Sequence, residues 1–90
     1  MLSTVITTDG LHRNVEPSNG TDFSLEELKE FVGGYIEIVH LNKSQVMVVN
    51  EEGKLIGLEP NPFATLLVQI AGHRDIIVGN VLVCDTSKIK

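Results

Sequence analysis

Phe-Ser-Leu-Glu-Glu-Leu-Lys-Glu-Phe-Val-Gly-Gly-Tyr-Ile-Glu-Ile-Val-His-Leu, residues 23–41, changes its periodicity half-way. In its first half Leu25, Leu28, Phe31 and Val32 recur at helical spacing, which leaves Glu26, Glu27 and Lys29 for water. Ser24 is a natural N-cap, and Glu27 three residues on completes a capping box. Phe23 before the cap and Leu28 inside the first turns form a hydrophobic staple. Gly33-Gly34 ends the helix, because glycine accepts the left-handed conformation that follows a last turn. From Tyr35 to Leu41 the chain then reads as a strand. Ile36 and Ile38 share one face with His40, while Tyr35, Val39 and Leu41 share the other with Glu37. Apolar groups on both faces predict a central strand, covered on both sides. The helix and the strand after it are expected to belong to an α+β domain, with the helix packed on a mostly antiparallel sheet.

Downstream, Asn42-Lys43-Ser44 supplies a polar turn and Gln45–Val49 a second strand. Asn50-Glu51-Glu52-Gly53 is a turn closed by glycine, and Lys54–Gly57 is expected to return as a short third strand. Asn61 then caps a second helix, with Pro62 at its first position, where a missing N–H costs nothing. Phe63, Leu66, Leu67 and Ile70 repeat as a single stripe, expected to be buried. Gly72 stops this helix. Ile76–Cys84 is an apolar run broken only by Gly79-Asn80, read as a buried strand with a bulge or close backbone approach at Gly79. Upstream, Leu2–Thr8 and Leu11–Val15 suggest a hairpin about a type I′ turn at Asp9-Gly10, and residues 16–21 form a loop. The expected order is β-β-α-β-β-β-α-β, a mostly antiparallel sheet with two short helices. It makes a single α+β domain over residues 1–85, and residues 86–90 are expected to be a frayed tail.

The 90 residues suit one core. A chain of this size buries roughly 60–65% of its unfolded surface, a thin margin for stability. Twelve acidic and seven basic residues give a net charge of −5, and the basic ones are scattered. Phosphate-backbone binding needs clustered Lys and Arg, so direct nucleic-acid binding is not expected. The single cysteine, Cys84, excludes an internal disulfide and a multi-cysteine zinc site, and its apolar neighbours predict a buried, inert thiol. Met1-Leu2-Ser3-Thr4 lacks the basic start of a signal peptide, and no apolar stretch approaches ~20 residues. A cytoplasmic protein without membrane association is expected.

Three further strings carry a resemblance: residues 28–39, with Gly33-Gly34-Tyr35-Ile36-Glu37; residues 48–65, with Asn50-Glu51-Glu52-Gly53-Lys54-Leu55; and residues 77–83. Together they resemble a domain family of unknown function found in bacteria, their phages and mobile elements. The match spans about two-thirds of the chain and departs from the family pattern at Gly57-Leu58-Glu59-Pro60. The resemblance implies a small accessory protein, one acting on host or defence machinery, and it supplies no catalytic residues.

Candidate chemistry is sparse. His12, His40 and His73 are far apart, and none has a His or Cys at chelating spacing, so no metal or cofactor is expected. No Gly-x-Ser-x-Gly is present, and Cys84 has no neighbouring base. Gly33-Gly34 sits at the negative end of a helix, which repels phosphate. The candidate binding residues are Asn50, Glu51 and Glu52 in the turn, and Asn61 and Thr65 at the start of the second helix, where free N–H groups could hold an anion. The leading expectation is a non-catalytic accessory protein that binds a protein partner or small ligand, with a homo-oligomer as one form. Alternatives are a nucleotide- or anion-binding module or small enzyme built on those five residues, and an acidic mimic of nucleic acid.

Overall fold

The structure, a computed structural model, describes residues 2–89. Met1 and Lys90, the outer ends of the expected domain and tail, lie outside the described residues. The elements are β1 (Ser3–Ile6), β2 (His12–Val15), α1 (Leu25–Val32), β3 (Ile36–His40), β4 (Gln45–Asn50), α2 (Pro62–Ile70) and β5 (Val81–Asp85), followed by a 3-10 turn at Thr86–Lys88. The strands form one antiparallel sheet in the order β2-β1-β5-β4-β3. The protein is thus α+β, with one helix on each face of the sheet.

Strand parity builds the three layers. Successive side chains on a strand point to opposite faces, and β4 and β5 are apolar on both. Val46, Val48, Leu82 and Cys84 join Val5 under α1, where Leu28 and Val32 close the core and Phe23 is wholly buried. Met47, Val49, Val81 and Val83 join Ile6 under α2, which contributes Ala64 and Val68. Two helices on one shared layer is the expected arrangement; that they take opposite faces follows from these two-faced strands.

α1 carries its expected punctuation. The Ser24 hydroxyl accepts from the Glu27 N–H at 3.1 Å, and the Glu27 carboxylate accepts from the Ser24 N–H at 2.9 Å. Gly33 adopts φ 80° at the end of the helix, a conformation that other residues resist. Leu25 departs from expectation and is exposed, because the buried stripe turns through Leu28 and Val32.

Four other expectations are corrected. Lys54–Gly57 is not a third strand but part of a run of turns, since β4 already has β3 and β5 on its two edges and offers no third. β3 is an edge strand rather than a central one; β5, the most apolar run, takes the centre. The strand expected over 76–84 begins only at Val81. Residues 77–79 instead bond to residues 59–61, with Asn61 N–H to Ile77 O at 2.8 Å and Gly79 N–H to Glu59 O at 2.7 Å. Gly79, at φ 80°, is the close approach anticipated there: a Cβ would lie 2.7 Å from the Leu58 side chain. The hairpin closes through Thr8-Asp9-Gly10 with only glycine at positive φ, so it is not a type I′ turn.

Residues 86–89 of the stretch expected to fray are docked. Phe23 donates to Lys88 O at 2.8 Å, Thr86 donates to Ser44 O at 2.8 Å, and Ile89 packs against the α1-side core.

The largest departure concerns α2. Its cap is as expected, with Asn61 preceding Pro62. Most of its expected stripe is turned outward: Ala64 and Val68 are fully buried and Leu67 packs half-buried against the same core, whereas Phe63, Leu66 and Ile70 are 43%, 52% and 74% exposed. Among the described residues no helix is long and apolar enough to cross a membrane.

Candidate functional site

The register gathers several connections at one end of the sheet. Ile6 pairs with His12 and Val81, and Ile36 pairs with Asn50. The turn after β1, the 51–61 stretch and the 76–80 return therefore share that end.

Asn50, the last residue of β4, points to the α1 face and is buried. Its amide donates to Val32 O at 3.1 Å and its carbonyl accepts from Glu52 N–H at 2.8 Å, so it ties the end of α1 to the following turn. Its polar atoms are spent on the fold. Glu51 and Glu52 are exposed, and Glu51 N–H donates to Tyr35 O at 2.9 Å. From there the backbone coils tightly: Gly53 N–H bonds Asn50 O, Ile56 N–H bonds Glu52 O at 3.1 Å, and Leu58 N–H bonds Gly53 O at 3.0 Å. These bonds hold Leu55 and Ile56 outward, 86% and 59% exposed. Lys54 forms a salt bridge with Asp75 and so joins this turn to the loop that presents Ile76, 58% exposed. The Lys54 ammonium holds the Asp75 carboxyl below its ordinary range. Both partners of this pair are open to solvent, so it adds little stability and mainly sets the loop spacing.

Beside this ridge lies a groove of about 230 Å³, with Glu37 and Glu51 on its rim and Val49, Leu55 and Ile76 along its wall.

Asn61 and Thr65 belong elsewhere. Asn61 is fully buried at the start of α2. Its carbonyl accepts from Ala64 N–H at 3.1 Å, and its amide donates to Ile6 O at 3.1 Å and Gly79 O at 2.9 Å. It is the pin that fastens α2 to β1 and to the loop before β5. The Thr65 hydroxyl accepts from Ile77 N–H at 2.9 Å. The five sequence-predicted residues thus share one end of the sheet without forming one cleft. Asn50 lies on the α1 face, Asn61 and Thr65 are on the α2 side, and only Glu51 and Glu52 offer free carboxylates.

Leu55, Ile56 and Ile76 were not singled out by sequence reasoning, because an apolar pair between glycines looks the same whether it enters a strand or leaves a turn. The available signal was spacing: Gly53 and Gly57 bracket too few residues for a strand that pairs well.

The histidines are dispersed. His73 Nε2 contacts His40 O at 2.8 Å, and His12 packs edge-on against Phe63 with ring centroids 4.5 Å apart. Among the described residues no group of three or more His, Cys, Asp or Glu side chains could hold a metal ion. Cys84 lies in the core, and burial pushes its thiol up to about 11, so it stays protonated at neutral pH.

Fold and site define a small three-layer α+β protein whose interior polar groups serve the architecture and whose loop end carries outward apolar side chains between acidic ones. The chain belongs to the family described as Domain of unknown function (DUF3846), which matches residues 4–89. No curated protein and no solved structure matches it.

Proposed function

We propose that this protein is a non-catalytic interaction module that docks a protein partner through the loop end of its sheet. The observation that carries the reading is Leu55, 86% exposed on a turn whose backbone is tightly hydrogen-bonded. A large apolar side chain held rigidly in water has already lost much of the backbone freedom that binding would otherwise cost. Ile56 and Ile76 widen the apolar ridge, while Glu37, Glu51 and Glu52 supply an acidic rim. The partner these groups fit is a protein surface with an apolar cleft bordered by Lys and Arg. In a chain of net charge −5, that complementarity also speeds encounter at low salt.

The resemblance to a family of bacteria, phages and mobile elements suggests where the partner lies: host machinery of the bacterial cytoplasm, with the protein as an accessory factor. The nucleotide- or anion-site reading is weaker, because the polar atoms of Asn61 and Thr65 are engaged with backbone. The mimic reading is weaker too. Glu26 and Glu30 lie on α1, across the sheet from the face to which Glu37 points, so the carboxylates form no single array.

The test is capture from host lysate with the full chain and a Leu55→Glu/Ile56→Glu variant whose urea unfolding midpoint matches the original. A captured protein lost with the double variant, and regained as the salt concentration is lowered, supports the reading. Capture that is indifferent to both changes overturns it.

A further inference from the structure

The outer face of α2 is a second apolar surface, remote in chemistry from the loop end. Residues 60–73 contain no Asp, Glu, Lys or Arg. Phe63, Leu66 and Ile70 form the outward stripe, and exposed Leu11 follows the turn that, with the start of α2, encloses a groove of about 450 Å³. We propose that this face is a self-association surface, covered by α2 of a second copy of the chain in an antiparallel, two-fold arrangement. The inference goes beyond the partner-binding reading and uses none of its residues.

Two features select a second copy as the occupant. The first is charge. Each chain carries −5, so most approaches between copies are repulsive. α1, with Glu26, Glu27 and Glu30, lies on the opposite face of the sheet. Pairing α2 with α2 puts the two acidic layers on the outside of the dimer. Even the smallest dimension of one chain, 21 Å, exceeds a Debye length of ~8 Å at physiological ionic strength. The outer stripe of α2 carries no charge of its own, and Asp9 is the one acidic residue lining the groove at its start, so this helix is where two copies meet with least penalty.

The second is spacing. Positions 63, 66 and 70 bring the ends of the stripe to equal distances from the midpoint between Leu66 and Leu67. An isologous contact requires one patch to complement itself. In an antiparallel pair Phe63 of one copy meets Ile70 of the other and Leu66 meets its counterpart beside the axis, while Leu67 stays packed against the core of its own chain. The two helix dipoles then oppose one another favourably.

The stripe is short, so the expected dimer forms in the micromolar to millimolar range. Sedimentation equilibrium of the full chain should show the average mass rising from 9.8 kDa toward twice that value as concentration increases. Leu66→Glu should raise the midpoint concentration at least about tenfold, and Leu66→Gln by less. Urea unfolding confirms that both variants remain folded. Leu55→Glu/Ile56→Glu should dimerise as the original does, which keeps this surface distinct from the loop end. Register is read by oxidation: Phe63→Cys mixed with Ile70→Cys should cross-link faster than either variant alone. A mass fixed at 9.8 kDa at every concentration overturns the proposal, and would leave the face to a lipid or a different protein. So would a dimer that Leu66→Glu leaves intact, one that Leu55→Glu/Ile56→Glu abolishes, or preferential cross-linking of Phe63→Cys to itself.

Discussion

α1 and α2 are of similar length and lie on opposite faces of one sheet, yet they use their apolar residues in opposite ways. α1 places Leu28 and Val32 inward and its glutamates in water, and its capping box closes its first turn. α2 has no charged residue, sends the small Ala64 and Val68 inward, and leaves Phe63, Leu66 and Ile70 outside. An amphipathic helix has one face to bury and therefore one orientation. A helix that is apolar on several sides has more than one, and something outside it must choose. For α2 that choice falls to Asn61, whose three hydrogen bonds fix the start of the helix against Ile6, Ala64 and Gly79. The face beneath is already filled by Met47, Val49, Val81 and Val83, so small side chains fit there and Phe63 does not.

The strongest test of this contrast compares two nearby positions on opposite sides of α2. Val68→Asp buries a carboxylate in a filled core and should cost more than ~4 kcal/mol, enough to unfold most of the population of a small domain. Leu66→Asp, two residues away, should change the unfolding free energy by less than ~1 kcal/mol. Urea titrations of the two variants measure the difference, and equal losses would return α2 to its expected orientation.

Removing the pin comes next. Asn61→Ala removes a side-chain partner from two carbonyls, Ile6 O and Gly79 O, and from the Ala64 N–H, and should cost about 3 kcal/mol. Asn61→Asp keeps the capping acceptor but turns a buried carboxylate oxygen toward the Ile6 and Gly79 carbonyls, so a midpoint at least as low as that of Asn61→Ala is expected in the same titration. A loss of the size seen for an ordinary cap would mean that Asn61 serves α2 alone.

On α1 the effects should be smaller, because its orientation rests on its whole buried stripe. Ser24→Ala should lose about 1 kcal/mol, read as a shift in thermal midpoint.

The smallest effect is one of pH. Backbone N–H groups of Ser24 and then Ser18 hold the Glu27 carboxyl below its ordinary 4.5. A depressed folded-state value stabilises the fold above the unfolded value, and that contribution disappears as pH falls through the folded one. Stability should therefore decline below about pH 4.5, and Glu27→Gln should flatten the decline while lowering stability at neutral pH. Unfolding midpoints at a series of pH values check both; an unchanged slope would remove Glu27 from the acid response.

Much of the fold was legible where the signal is local. Ser24 with Glu27, Asn61 with Pro62, and glycine at 33 each act within a few residues through hydrogen bonds or allowed dihedral angles. The alternation across Val46–Val49 and Val81–Cys84 likewise marks strands apolar on both sides. The candidate site was less legible. Asn50 and Asn61 read as possible ligand contacts because both are polar residues near turns. That their amides are consumed by Val32 O, Ile6 O and Gly79 O depends on segments far along the chain. Leu55 and Ile56 matched a strand, and only the occupied edges of β4 forced them into a turn.

By itself, then, the sequence determined where helices begin and end, which runs are extended, and that the class is α+β. Tertiary structure decided which strand takes the centre, which side of α2 is buried, and which side chains are left for partners. The physical reason is range. Caps and backbone preferences are settled among neighbours, whereas burial depends on what already occupies the space, as when Asn61 bonds a carbonyl 55 residues earlier.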